Sequence, residues 1–462
     1  MRWAKRYYPW VLLAIWALCC WGFFEQAYSY HFFYKEQNQL FLMSADYVST
    51  YRGCGWLSRL SGDYLTQYYY YRYAGAAILS LCLWAAATLL YAALRSVKVW
   101  RWLSLMVALI VVTIEAVFQL HHSFPLSGAV AVLGWALALW LCALLVRRRA
   151  VVSVLGVALL PLAAWLFGAP RLGRLAGPDW QLERMLAVDN EYRFGNYDRV
   201  ISLVEAEEQP LTEMKFFYNL VMAQRGLLPD QFLRWIPNEL GTLHKIGPET
   251  PLYTIKNMNE LYWVLGDMTF TERAAMMANV FSADNRNVRM VKRMAEVNLV
   301  SGDTLAARKY LRLLEQTVAY AHWARTAPQN ALYQQKALMA NKQDTLAIND
   351  NSHFLMMQLL DSNPNNMVAL DYMLCTELQL KDISNFKRDY DRYCATQPRL
   401  KRLYQEALCI WLAGTEAPAE EWQRLIQMPD VVKRFQQYNQ QRGSEAFSDT
   451  YWYYFDKVRF EE

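Results

Sequence analysis

Five long apolar runs crowd the first 170 residues, and they limit this chain more than any other feature of its sequence. They cover residues 9–24 (PWVLLAIWALCCWGFF), 74–94, 102–120, 127–146 and 150–168. A helix needs about 20 apolar residues to cross the hydrocarbon core of a bilayer, with a lower limit of about 17. The middle runs meet that length, and Tyr7 and Tyr8 extend the short first one at the interface. That first run ends in aromatics and lacks a small-residue cleavage site, so an uncleaved anchor is expected rather than a removed signal peptide.

Charge divides the chain at the same place. Residues 1–170 hold 13 Lys/Arg and 5 Asp/Glu, whereas residues 171–462 hold 34 and 37. The overall +5 therefore describes neither half, and no basic stripe marks a nucleic-acid binder. Arg2, Lys5 and Arg6 precede the first run; Arg95, Lys98 and Arg101 follow the second; Arg147, Arg148 and Arg149 follow the fourth. Basic residues in short loops mark the cytoplasmic side. With five spans, the loop at 25–73 and everything after 170 are then expected on the far side, the periplasm of a bacterial inner membrane.

After the Gly/Pro-rich linker at 171–180 the pattern changes to amphipathic helices with short connections. Turns centred on Gly195, Gly226, Gly266 and Gly302 are spaced by 31, 40 and 36 residues, and Lys381 takes the same offset ahead of Ile383, Phe386 and Tyr390. These intervals scatter around the roughly 34-residue period of tetratricopeptide repeats, in which stacked helix pairs bury their apolar stripes against neighbours. The expected fold is all-α: about five transmembrane helices over 1–170, then a TPR-like solenoid over 181–462. The aromatic tail FSDTYWYYFDKVRF is expected to cap the last helix pair, the alternative being a dock on the membrane portion.

No catalytic motif stands out. There is no phosphate-binding loop, Rossmann glycine pattern, nucleophile elbow or H-E-x-x-H. The cysteines include no C-x-x-C, and the helical spacing of Cys375 and Cys394 sets them beyond disulfide reach, so free buried thiols are expected. The six histidines have no partner at metal-ligand spacing; no metal or other cofactor is expected. Glu115 is the single acidic residue inside an apolar run, with Gln119 one turn later. A carboxylate in hydrocarbon is costly enough that it must face another helix or a polar cavity, which makes Glu115 and Gln119 a candidate intramembrane polar site. The loop at 25–73 divides into two amphipathic stretches, 35–51 and 56–71. Phe41, Tyr47, Trp56, Tyr64 and Tyr68 are its candidate membrane-interface contacts, with lipid as the partner.

The segments YKEQNQLFLMSADY, GWLSRLSGDYLTQYYYY and AGAAI, together with DTYWYYF, resemble an uncharacterised family of polytopic membrane proteins of Bacteroidota. The resemblance spans essentially the whole chain and implies a short membrane region followed by a periplasmic TPR-like domain. Where that family shows a Pro-Gly-Gly turn, this chain has Arg52-Gly53-Cys54-Gly55. It implies architecture and location rather than an activity. A fainter resemblance, to GT-C glycosyltransferases, would make Glu36 or Asp46 a catalytic base in the first loop, although no D-x-D or E-x-D motif occurs there. The leading expectation is a non-enzymatic membrane scaffold that binds a periplasmic or membrane protein partner through its helical array, in envelope assembly or transport. The alternative is a glycosyltransferase-like enzyme.

Overall fold

A computed structural model describes residues 2–146, 177–235, 243, 252–282, 285–340, 352–394 and 399–458. Every regular element among them is helical. The expected span at 150–168 lies outside the described residues. The chain divides into two compact units: residues 1–187 with 282–292 and 308–327, and residues 188–281 with 293–307 and 328–462.

In the first unit, α1 (Arg2–Gln26), α5 (Ala74–Ser96), α6 (Arg101–Gln119) and α7 (Ser127–Val146) contain the four described segments long and apolar enough to cross a membrane. Helix α5 is central and packs against the other three. Its buried face runs through Ala76, Leu79, Ser80, Leu83, Ala86, Ala87 and Leu90, a stripe of mostly small residues at helical spacing that lets backbones approach closely. Large apolar side chains face outward instead, including Leu18 on α1, Met106 and Ile110 on α6, and Leu141 on α7. Outward leucines with small residues inside are the reverse of a water-soluble bundle, and suit helices solvated by hydrocarbon.

Between α1 and α5 lie α2 (Tyr30–Gln37), α3 (Ala45–Val48) and α4 (Trp56–Thr66), the last continued by a 3-10 turn over Gln67–Tyr70. The stretch expected as one helix over 35–51 is therefore broken. α2 starts earlier and stops at Gln37; residues 39–43 run without helix, and Met43 N–H donates to Gln316 O at 2.8 Å. A tertiary backbone bond holds open what amphipathic spacing alone would have coiled. Helix α4 packs on α7 at Gly62, where an added Cβ would stand 2.6 Å from the Ser127 backbone. Gly62→Ala is expected to destabilise the protein by about 1–3 kcal/mol through overpacking. A lowered melting temperature in detergent checks this, and an unchanged one refutes the close contact.

The rest of the chain is built from helices joined by short turns: α8 (Trp180–Arg193) to α9 (Tyr197–Glu205), α10 (Thr212–Gln224) to α11 (Leu228–Gln231), α12 (Leu252–Leu265) to α13 (Met268–Val280), and α14 (Val288–Ser301) to α15 (Thr304–Glu315). After α16 (Ala321–Thr326), α17 (Ala331–Met339) and α18 (Ser352–Ser362) come α19 (Met367–Gln379) with α20 (Ile383–Cys394), and α21 (Arg402–Gly414) with α22 (Ala419–Leu425). α23 (Pro429–Gln440) and α24 (Tyr451–Lys457) end the chain. All five turn positions read from the sequence have positive φ: 76° at Gly195, 67° at Gly226, 87° at Gly266, 80° at Gly302 and 59° at Lys381. At four of them the next N–H bonds back to a carbonyl five residues earlier, as in Asn196 to Glu191 and Asp382 to Glu377. This left-handed cap satisfies the last carbonyls of one helix and turns the chain into the next. A further copy, unmarked by glycine, sits at Glu416 (φ 51°).

The second unit's core runs through α10, α19 and α21 and closes on the aromatic tail. Tyr451, Trp452 and Tyr454 are buried, and Trp452 Nε1 donates to Glu406 O at 2.8 Å. Cys375, Cys394 and Cys409 are free and buried.

Candidate functional site

Helix α2 buries three consecutive polar residues, Lys35, Glu36 and Gln37. Successive positions on a helix point about 100° apart, so each must find a separate partner. Lys35 Nζ donates to Gln119 O at 2.9 Å and Gln119 Oε1 at 3.2 Å. Glu36 Oε1 accepts the Tyr320 hydroxyl at 2.8 Å. Gln37 Oε1 accepts from Arg289 at 3.0 Å, and Asn38 Oδ1 from Asn287 at 3.0 Å. On the α6 side, Gln119 Nε2 donates to Glu115 Oε1 and to Pro125 O, both at 3.1 Å. Residues from three distant parts of the chain thus meet at the end of one eight-residue helix.

The start of α2 is held just as remotely. Ser29 makes no capping bond; instead the Glu183 carboxylate accepts the Tyr30 N–H at 2.5 Å and the His31 N–H at 3.1 Å. A carboxylate at a helix N-terminus satisfies orphan donors and opposes the positive end of the helix dipole. Burial still pushes Glu183 up to about 7, against the two N–H bonds that lower it. His31 sits among Phe24, Tyr28 and Phe32, and neither ring nitrogen makes a hydrogen bond. Burial, then the Lys35 charge, hold its pKa well below the ordinary imidazole value, so the ring is neutral. Burial also pulls Lys35 down to about 7, with the Glu115 carboxylate opposing.

The residues singled out in the sequence fall into three places. Glu115, Gln119 and Glu36 join the buried cluster around α2. Glu36, at 2% exposure and engaged by Tyr320, has no open face toward an acceptor hydroxyl. Asp46 lies apart, exposed on α3. Phe41 is buried, with the half-buried rings of Tyr47 and Tyr64 at 5.3 and 5.9 Å, and it lines with Tyr64, Val48, Leu60 and Leu65 an open apolar groove of about 670 Å³. Tyr68 bonds the Tyr64 hydroxyl at 2.9 Å, and Trp56 is exposed. Lys35, Gln37, Glu183, Arg289 and Tyr320 carried no signal in the sequence, because nothing local ties them together.

One group of metal-ligand type occurs among the described residues, His353, Glu377 and Asp389 in the second unit. Burial and then Asp389 push Glu377 up to about 10.

Helices of membrane-spanning length, a polar cluster gathered on one short helix and a series of capped hairpins define the class, an all-helical chain consistent with a membrane protein. The chain belongs to a family of unknown function, DUF6057, whose model matches residues 6–176 and 170–457. No curated protein and no solved structure matches it.

Proposed function

We propose that this protein is a multi-pass scaffold of a bacterial inner membrane, with its N-terminus in the cytoplasm and a TPR-like helical array in the periplasm. The array holds a protein or peptide partner in envelope assembly or transport. The observation that carries this reading is the recurring hairpin, five or more copies of one left-handed cap between residues 191 and 417. Repeated helix pairs are a common way of presenting extended binding surface to another chain. The loop charges at Arg2, Lys5, Arg6, Arg95, Lys98 and Arg101 support the orientation, and the resemblance to Bacteroidota membrane proteins supports the compartment.

The glycosyltransferase-like alternative requires a carboxylate free to take a proton from an acceptor. Glu36, sealed under Tyr320, weighs against it, and exposed Asp46 is the position left to test. Asp46→Ala is expected to leave cell-envelope glycans unchanged. For the leading reading, alkaline phosphatase fused after Glu462 is expected to be active, and photo-crosslinkers at Phe281 and Leu305, both exposed, to trap one defined partner in repeated experiments. An inactive phosphatase would sink the orientation, and consistently empty crosslinks would sink the scaffold.

A further inference from the structure

Helices α18, α19 and α20 bring His353, Glu377 and Asp389 together, one donor atom from each lying within 4.8 Å of the others. His353 Nδ1 is 3.0 Å from Glu377 Oε1, and Nε2 is 3.2 Å from Asp389 Oδ2. Asp389 is fully buried and Glu377 is 5% exposed. No donor from outside this cluster reaches either Glu377 carboxylate oxygen. Two carboxylates brought together in a dry corner repel each other, and a buried acceptor with no donor is costly to keep. A shared proton or a metal cation between them relieves that repulsion. The His353 side chain, 26% exposed, leaves a route in from solvent.

We propose that His353, Glu377 and Asp389 form a binding site for a divalent transition-metal cation of the zinc class, with water completing the coordination. One imidazole nitrogen with two carboxylate oxygens suits such an ion. Calcium takes six to eight oxygens, and copper(I) prefers sulfur ligands. An ion here would neutralise the facing carboxylates and fasten α18 to the α19–α20 hairpin.

Arg388 competes for the same lone pairs. Its guanidinium donates to both Asp389 oxygens, at 3.0 and 3.1 Å, and lies 3.0 Å from His353 Nε2. Its side chain is 57% exposed, so it can swing out to solvent as the ion enters. The opposing structural reading makes Arg388 the permanent counter-charge of Asp389, with His353 a simple polar neighbour. The two readings predict opposite behaviour when Arg388 is removed.

The test uses the full-length protein in detergent, stripped with a chelator and titrated with Zn²⁺ alone, by calorimetry and by the shift in melting temperature. The expected result is one zinc per chain, with affinity weakened about 10-fold or more in both His353→Ala and Glu377→Gln, the scale at which lost metal-site partners usually act. Arg388→Ala keeps all three ligands and is expected to fold and to bind zinc at least as tightly as the natural chain. Should His353→Ala or Glu377→Gln fail to fold, the natural chain and Arg388→Ala decide the matter. The proposal is overturned if the natural chain takes up no stoichiometric zinc, if both ligand variants bind it unchanged, or if Arg388→Ala loses binding.

Discussion

Lys35→Met will lower the stability of the detergent-solubilised protein at pH 6 by on the order of 3 kcal/mol, the scale on which removing one partner of a buried charged network acts. The ammonium serves two acceptors of Gln119, and its charge interacts with Glu115. Methionine fills similar space without replacing either bond, so Gln119 loses this donor and Glu115 loses the Lys35 charge. Glu115→Gln in the same chain should recover part of the loss, because the second change removes the charge that the first abandoned. A double-mutant cycle measures this directly; strictly additive effects would mean that Lys35 and Glu115 are energetically independent. The pH dependence has a definite sign. With Lys35 at about 7 in the folded chain against 10.5 for an ordinary lysine, the unfolded chain binds more protons between those values. Stability contributed at this site therefore rises as pH increases from 7 toward 10.5, and Lys35→Met is expected to lack that rise. Parallel pH curves for the two proteins would refute the burial.

Trp452→Ala is expected to cost about 3–5 kcal/mol, as for other large-to-small changes at fully buried aromatic positions. The indole is 1% exposed, packs near Phe435 at 5.1 Å and Tyr438 at 6.0 Å, and donates to Glu406 O. Its neighbours tie the tail to the end of α19: the Tyr451 hydroxyl donates to Leu378 O and that of Tyr454 to Gln379 O, both at 2.8 Å. Those carbonyls belong to the last turn of α19, where Leu378 O also accepts the Lys381 N–H at 3.1 Å. The tail therefore covers an apolar face and adds hydrogen-bond donors at the end of α19. Chemical denaturation monitored by tryptophan fluorescence checks the loss; a change below about 1 kcal/mol would mean that the tail is not part of this core.

Two kinds of feature were readable from residues alone. Apolar runs at the first four positions became membrane-length helices, since the length needed to cross hydrocarbon is a property of the bilayer and backbone satisfaction requires a helix there. Turn positions were readable because positive φ favours glycine; Gly195, Gly226, Gly266 and Gly302 all adopt it. The same rule missed Glu416, where a non-glycine residue takes the left-handed cap and leaves no mark in the sequence. The helix expected over 35–51 failed for another reason: amphipathic spacing is compatible with a helix but does not compel one, and the bond from Met43 to Gln316 favoured an open segment.

The polar cluster lay beyond any local reading. Lys35-Glu36-Gln37 looks like the solvated face of a surface helix, yet its partners Gln119, Tyr320 and Arg289 are 84, 284 and 252 residues away. His353, Glu377 and Asp389 likewise have no ligand spacing along the chain, and only the meeting of three helices sets them within reach. The sequence by itself determined the all-helical class and which four of the described helices suit hydrocarbon, because length, periodicity and backbone preference act within a few turns. Only the tertiary structure decided which polar groups are buried together, because desolvation and pairing depend on distances in space that separation along the chain does not encode.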